Sequence, residues 1–97
     1  MKAYELLLLT NPSLDDEARS AVLEKVQNLI TADGGTVDSL DEWGRRKLAY
    51  EIASLAEGDY TLVDFHTAPA AIAELDRVLH ITDGVVRYMI VHREDRE

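Results

Sequence analysis

The sequence contains no cysteine, which excludes disulfide bridges, thiolate nucleophiles and cysteine-based zinc sites. It also lacks a long apolar run: the apolar stretch at residues 6–9 is far shorter than the roughly 20 residues needed to cross a bilayer. The amino terminus has no basic region followed by a hydrophobic stretch of signal-peptide length. These absences predict an intracellular location, and the lack of cysteine fits a reducing compartment.

Basic residues are also scarce, with 10 Lys plus Arg against 19 Asp plus Glu and a net charge of −9. Phosphate binding depends on Lys and Arg, so this bulk charge argues against a nucleic-acid partner. The 97 residues, 46% of them hydrophobic, suffice for one domain with a modest core and leave no room for separate cofactor and substrate domains. We expect a single domain over residues 1–93, followed by a short charged tail at residues 94–97.

The few cations are concentrated rather than spread along the chain. Residues 1–44 carry three basic and nine acidic groups, a net charge of −6, and residues 51–84 also sum to −6. Between them, residues 45–50 contribute +3, whereas residues 85–97 balance at zero. A local basic site is therefore compatible with an acidic protein.

The first part of the chain predicts a strand and a helix. Residues 4–9 are apolar and precede a structure-breaking cluster at residues 10–13, which indicates a short buried strand. Ser13, followed three residues later by Asp16, resembles a capping box at a helix start. Apolar residues then recur at three- and four-residue spacing until two consecutive glycines supply a stop. This stripe consists of Ala18, Val22, Val26, Leu29 and Ile30.

The middle of the chain predicts two strands that form a hairpin. Residues 36–43 alternate loosely, as in a half-exposed strand, and residues 48–52 continue the extended structure. The Glu-Gly-Asp sequence at residues 57–59 is a turn signal. It leads into residues 60–67, which are rich in strand-forming side chains.

A second helix and a last strand complete the domain. Pro69 presets the first helical turn, and an Asp-Gly pair at residues 83–84 ends the segment before a strand at residues 85–92. The apolar face of this helix consists of Ile72, Leu75, Val78 and Leu79. The order strand, helix, strand, strand, helix, strand forms two βαβ halves, which right-handed crossovers fold into a four-stranded antiparallel sheet with both helices on one face. The sequence therefore predicts an α+β, ferredoxin-like sandwich.

Strand alternation predicts which side chains face away from the helices. If Leu6 and Leu8 face the helices, outward apolar residues from three strands meet on the sheet face that this fold leaves uncovered. Exposed apolar patches of this kind usually need a partner. The candidate partner-binding residues are Leu7, Leu9, Tyr60, Leu62, Met89 and Val91.

Catalytic and metal motifs are missing. The sequence has no nucleophile elbow, phosphate-cradling glycine loop or histidine-rich metal motif. Asp64 and His66 share a strand face, but a functional metal site normally has three protein ligands. We therefore predict no enzyme activity, no metal site and no cofactor.

The same fold occurs in RNA-recognition-motif domains, whose third strand stacks bases on aromatic side chains. Here that strand has Tyr60 and Phe65 at its ends, but Leu62 replaces the central aromatic and Thr61 replaces the expected glycine. The pattern favours packing or partner contact for Tyr60 over base stacking.

The only basic run lies between aromatic residues, from Trp43 to Tyr50. Its three consecutive cations are compatible with a phosphate contact site. They are equally compatible with protection of an edge strand against aggregation. Charge patterning alone leaves both interpretations open.

Several short motifs follow one another along the chain. The most specific is Trp43-Gly44 followed by Arg46-Lys47-Leu48-Ala49-Tyr50. The weaker ones are Tyr4-Glu5-Leu6, Asn11-Pro12-x-Leu14, Gly34-Gly35, Gly58 with Tyr60, and Leu75-Asp76-Arg77. In this order and spacing they resemble the bacterial ribosomal protein S6 family, the sixth protein of the small subunit, over essentially the whole chain.

The resemblance implies a structural, non-catalytic component of the cytoplasmic ribosome. It implies a heterodimer with S18, the eighteenth protein of the small subunit, and joint binding to the central domain of small-subunit ribosomal RNA at the platform. An acidic chain can share RNA binding with a basic partner because electrostatic attraction steers the two together. No membrane and no small-molecule substrate are implied. The candidate RNA contacts are Lys2, Arg45, Arg46, Lys47 and Arg87.

A function of another class uses the same sheet. A small-ligand-binding regulatory module or a small dimeric enzyme would place Tyr60, Asp64 and His66 around a pocket. The sequence lacks the ligand-binding loop that such modules usually carry.

Overall fold

A computed structural model describes residues 1–32, 34–52 and 55–96, with side chains described outside residues 48–56. Its elements are β1 (Lys2–Thr10), α1 (Asp16–Ala32), β2 (Thr36–Ile52), β3 (Leu55–Thr67), α2 (Pro69–Ile81), β4 (Val85–His92) and a 3₁₀ turn (Glu94–Arg96). The strands form one antiparallel sheet in the order β2-β3-β1-β4. This topology confirms the predicted α+β, ferredoxin-like fold.

The core lies between the sheet and the two helices. Phe65 stacks on Tyr4 with ring centroids 5.7 Å apart, next to Leu6 and Leu8, which are fully buried as predicted. Each helix contributes buried residues on the predicted stripe. In the part of the chain that the structure describes, no helix is long and apolar enough to cross a membrane. The helical core residues are Val22, Leu23, Val26, Ile30, Leu75 and Leu79.

The start of α1 differs from the predicted capping box. The Asp15 side chain caps the helix, because its Oδ1 accepts a hydrogen bond from the Ala18 amide at 2.7 Å. Ser13 is engaged elsewhere: its amide and its hydroxyl both donate to Oδ1 of Asn11, at 2.9 and 2.8 Å. Asn11 thus closes an Asx turn, and Ser13 has no role in the helix.

The hairpin differs from the prediction at its turn. The two predicted extended pieces are one strand, β2, and the predicted turn at residues 57–59 lies inside β3. Ile52 pairs with Leu55, so the connection between the strands falls on residues 53–54, outside the described residues. Gly58 has a packing role instead, because a Cβ atom there would lie 2.2 Å from Cδ1 of Leu9.

The predicted solvated tail also has structure. Residues 94–96 form the 3₁₀ turn, and the backbone amide of Arg93 donates to the carbonyl oxygen of Ala3 at 2.8 Å. All three residues of the turn are exposed, but the Arg96 guanidinium contacts Asp64 of β3. The turn therefore lies against the sheet face opposite the helices.

Candidate functional site

The sheet face opposite the helices, here called the open face, carries an apolar strip made of Leu7, Leu62, Met89 and Val91. In register, Leu7 lies opposite Leu62 on one side and Met89 on the other. Met89 is 51% exposed and Val91 38% exposed, while Leu7 and Leu62 are half-buried. Four of the six predicted partner-binding residues therefore form one continuous strip across β3, β1 and β4.

Leu9 does not belong to the exposed part of this face. It was expected to point outward with Leu7, but its exposed fraction is only 3%. The side chain occupies the space above Gly58, where the missing Cβ leaves room for it. Leu9 is outside the main core cluster, so it is buried within the open face rather than against the helices.

Tyr60, the sixth predicted residue, pairs with the exposed Trp43. Their ring centroids are 6.3 Å apart, and Trp43 Nε1 donates to Oδ2 of Asp41 at 3.2 Å. A register shift between Glu42 and Gly44 places Trp43 in an irregular stretch of β2. Trp43 was not among the predicted site residues, and the signal that could have identified it was its position beside the basic run.

Alternation in β2 separates the three consecutive cations. Arg46 lies on the open face and lines a surface cleft of about 690 Å³. The other lining residues are Asp41, Glu42, Trp43 and Tyr60. Arg45 and Lys47 project from the opposite side of the strand. Across the sheet, Arg87 of β4 lies opposite Leu9, and Leu9 lies opposite Tyr60.

The cations also differ in whether they already have partners. Arg46, Lys47 and Arg87 are exposed and form no ion pair with any other residue that the structure describes. Arg45 is engaged: its Nε lies 3.6 Å from Oδ1 of Asp59, and its guanidinium donates to the Pro12 carbonyl oxygen at 2.7 Å.

Lys2 lies apart from the other predicted RNA contacts. It pairs with Thr67 at one end of the sheet, whereas Arg45 pairs with Asp59 near Thr10 at the other. Eight residues of extended chain separate the two ends, roughly 25 Å at the rise of a strand. The structure thus brings Arg46 and Arg87 to one end of the open face and leaves Lys2 at the opposite end.

Asp59 is a buried carboxylate that organises the basic end of the sheet. Its side chain is 7% exposed and lies between two cations, with Arg19 Nη1 at 3.5 Å and Arg45 Nε at 3.6 Å. Among the residues that the structure describes, Oδ2 of Asp59 has no hydrogen-bond partner. The guanidinium groups of Arg19 and Arg45 offset the cost of burying this charge, and the Asp59 carboxylate in turn holds Arg45 on the helix side of the sheet.

The other end of the open face carries ion pairs that sequence reasoning did not identify. Glu5 and Asp64 lie directly opposite each other in β1 and β3. Arg93 Nη1 lies 2.6 Å from Oε2 of Glu5, and Arg96 contacts both carboxylates. A hydrogen bond from Arg93 lowers the pKa of the Asp95 carboxyl, and the same contact raises the pKa of Arg93.

The alternative ligand pocket does not form. His66 Nδ1 lies 2.5 Å from Oδ2 of Asp38, and Asp64 is held by Arg96 and by a 3.0 Å hydrogen bond from Ser39. Tyr60 lies with Trp43, six residues along β3 from His66. No group of three or more His, Asp or Glu residues that could hold a metal exists in residues 1–32, 34–52 and 55–96.

Comparison with known proteins gives a consistent result. The family model described as Ribosomal protein S6 matches residues 3–92. The small ribosomal subunit protein bS6 of Clostridium novyi (strain NT) is 52% identical over 94 residues, which cover 97% of this chain and 99% of that protein. The bS6 protein of Caldanaerobacter subterraneus subsp. tengcongensis is 44% identical over 95 residues, 98% of this chain and 100% of that protein.

Solved structures agree with the sequence relatives. The crystal structure of 30S ribosomal protein S6 from Thermotoga maritima matches with a TM-score of 0.92 and 30% identity, covering 98% of this chain and 90% of that one. The C-terminal domain of the MgtC protein from Mycobacterium tuberculosis matches with a TM-score of 0.65 at 14% identity, and this likeness shows the fold alone.

These matches confirm the resemblance based on the Trp-Gly to Leu-Ala-Tyr segment. The alignments cover nearly the whole length of this chain and of each relative, so the similarity extends over the whole domain. A protein of this kind is a structural component of the cytoplasmic ribosome, where it lies among ribosomal RNA and other ribosomal proteins, and it is not an enzyme. The chain therefore belongs to the ribosomal protein S6 family of the small ribosomal subunit.

Proposed function

We propose that this chain binds the central domain of small-subunit ribosomal RNA, at the platform, as a heterodimer with ribosomal protein S18. The observation that carries the proposal is the division of the open face into an exposed apolar strip and a basic end. The apolar strip can be buried against a protein. The cations that form no ion pair with a described residue can bind phosphates.

The apolar strip is the proposed contact surface for S18. Met89 and Val91 are large apolar side chains exposed by 51% and 38%. The row formed by Leu62, Leu7 and Met89 is apolar across its three strands, and Val91 extends it along β4, opposite Glu5. Burying such side chains against a partner stabilises a complex by about 25 cal/mol per Å² of apolar surface removed from water. The net charge of −9 favours a basic partner and accelerates association with it.

The basic end is the proposed RNA contact. Arg46 and Arg87 lie on the open face and Lys47 on the other side of β2, and none of them forms an ion pair with a described residue that would have to break before it binds phosphate. Leu9 and Tyr60 lie between the two arginines on the sheet. We assign Arg45 a smaller share, since Asp59 and Pro12 already hold it and only part of its guanidinium faces solvent. Lys2 would form a separate phosphate contact at the far end of the sheet.

So few phosphate contacts predict weak RNA binding by the isolated chain. Three contacts correspond to a slope of roughly −2 to −3 for the logarithm of affinity against the logarithm of salt concentration. The tighter binding would reside in the heterodimer, where the basic partner supplies further cations.

Binding of a central-domain RNA fragment tests the proposal, with this chain and S18 added singly and together. We expect cooperative formation of the ternary complex and weak binding by this chain alone. Arg46→Gln should weaken the ternary complex and reduce its salt slope by about 1. Lys25→Gln is the matched control, because it removes one exposed charge from α1 on the other side of the sheet.

The partner surface has its own variant. Met89→Asp should abolish capture of S18 while leaving the circular dichroism spectrum unchanged, because Met89 is exposed and outside the core. Steeply salt-dependent, tight RNA binding by this chain alone would contradict the proposal, as would unchanged incorporation of the Arg46, Lys47 and Arg87 variants into small subunits.

A further inference from the structure

The Glu5 and Asp64 carboxylates form an acid pair that needs a cation. They lie directly opposite each other on neighbouring antiparallel strands, and their side chains are only 22% and 23% exposed. Like charges in this position destabilise a sheet. Reduced access of water strengthens the repulsion, so a positive charge at this point is a structural requirement.

In the free chain, Arg93 and the 3₁₀ turn that follows it supply that charge. Arg96 contacts both carboxylates, and Arg93 contacts Glu5. The two arginines are held differently. Arg93 is fixed by its backbone bond to Ala3 and by a two-pronged contact with Asp95 at 3.1 and 3.0 Å.

Arg96 is the exchangeable member of the pair. Apart from the acid pair, its contact in the described part of the chain is a backbone hydrogen bond to the Arg93 carbonyl within a three-residue turn. Such a short 3₁₀ segment with exposed side chains opens at low cost. An ion pair at this level of exposure contributes little, so another cation of better geometry can replace it.

The acid pair borders the apolar strip. Val91 lies opposite Glu5, and the next row of the sheet places Leu7 between Leu62 and Met89. A protein that covers the strip therefore also covers Glu5 and Asp64. Arg93 remains on Glu5, but one cation does not neutralise two covered carboxylates, so the covering surface must bring a second cation or must leave Arg96 in place.

We propose that the protein partner inserts an arginine into the Glu5–Asp64 pair and that Arg96 occupies this position until the partner displaces it. The inference rests on the proposed function, since it assumes that the apolar strip is the partner surface. Arginine fits better than lysine because its planar fork can donate to two carboxylates at once. Arg96 thus has the same side chain as the proposed partner residue and competes weakly with it for the two carboxylates.

Titration of S18 with variants of the full chain tests this displacement. Arg96→Ala removes the competitor and should tighten binding by about 1.4- to 5-fold, the equivalent of a surface ion pair. The double variant Glu5→Gln with Asp64→Asn should weaken binding at least tenfold, because the partner's arginine loses its counter-charges. The double variant Glu17→Gln with Glu24→Gln, two exposed acids on α1, controls for the loss of two charges.

The decisive measurement is the combination. In the Glu5→Gln, Asp64→Asn background, Arg96→Ala should have no effect on binding, since no competition remains. Weaker binding by Arg96→Ala alone would overturn the displacement, as it would make Arg96 part of the interface. Loss of binding in Met89→Asp, with unchanged binding in the acid-pair variant, would refute this inference and leave the proposed function standing. If the unaltered chain does not bind S18, the proposed function itself fails.

Discussion

Gly58 provides the sharpest test of how the open face is packed. Its backbone dihedral φ lies outside the left-handed region, so alanine meets no conformational penalty there. An added Cβ would instead lie 2.2 Å from Cδ1 and 3.1 Å from Cγ of Leu9. Leu9 is 3% exposed and cannot turn aside into solvent without leaving its site.

The expected cost of Gly58→Ala is that of overpacking, about 1–3 kcal/mol. For a domain of about 100 residues, 2 kcal/mol lowers the melting temperature by roughly 8–16 °C. Leu9→Ala alone should cost about 2–3 kcal/mol, at the low end for leucine because the residue lies outside the main core. In the double variant the new methyl group fills part of the space that Leu9 vacates, so the two losses should fall short of additivity by about 1–3 kcal/mol.

Urea unfolding of the four proteins in this cycle measures the coupling directly. Gly44→Ala is the matched control, because Gly44 has a φ of +77° and no atom within 4 Å of an added Cβ. Its cost is therefore conformational, about 1 kcal/mol, and Leu9→Ala should not relieve it. Additive losses in the Gly58 cycle, or equal coupling for Gly44, would refute the packing role of Gly58.

Two further predictions concern the ends of the chain's elements. Asp15→Ala should destabilise the domain by about 1 kcal/mol through loss of the α1 cap, whereas Ser13→Ala should cost far less; equal effects in urea unfolding would contradict the assignment of the cap. Because Arg93 lowers the pKa of Asp95 below its ordinary 3.8, the contribution of this contact is complete above that value and is lost as pH falls through the lower folded pKa. Opening of the turn, measured by amide exchange at Arg96, should therefore increase only below pH 3.8. A titration midpoint of the Asp95 carboxyl at or above 3.8 would contradict this prediction.

The fold was predictable because its hydrophobic periods are unambiguous. The stripes of α1 and α2 and the alternation in β1 supply buried residues, and the inward side chains Tyr88 and Ile90 of β4 pack half-buried against the core. The positions that prediction missed depend on contacts between distant residues. Gly58 resembles a turn glycine locally, and only its pairing near Leu9 shows that it makes room for a side chain from another strand.

The prediction that Ser13 caps α1 was wrong for a related reason. Ser13 and Asp15 are both good capping residues, so local propensity does not choose between them. The choice is made by Asn11, whose side chain binds both the amide and the hydroxyl of Ser13 and removes it from the helix. Sequence spacing alone carries no information on which of these competing local bonds forms.

The sequence names the candidate site residues, but it does not predict how they are arranged. Consecutive cations look equivalent in the sequence, yet strand alternation sends Arg46 to the open face and Arg45 to the other side, where Asp59 holds it. Likewise, Glu5 and Asp64 were two acids among many until the register placed them opposite each other.

Net charge is consequently a poor guide to what this chain binds. A net charge of −9 argues against nucleic-acid binding only if every charged group is equally free to interact with a ligand. In this chain several charged groups are already in internal ion pairs. Asp59 is neutralised by Arg19 and Arg45, and the acid pair by Arg96, whereas Arg46 and Arg87 keep their charge for an outside group. The quantity that matters is the charge left after internal pairing on each part of the surface. On that measure one end of the open face offers Arg46 and Arg87 without an ion pair to any described residue, beside the exposed Asp41, while the other end has an excess of acid charge as soon as Arg96 is displaced. The proposed function uses this division, since it assigns a basic protein and an RNA to neighbouring parts of the same sheet face.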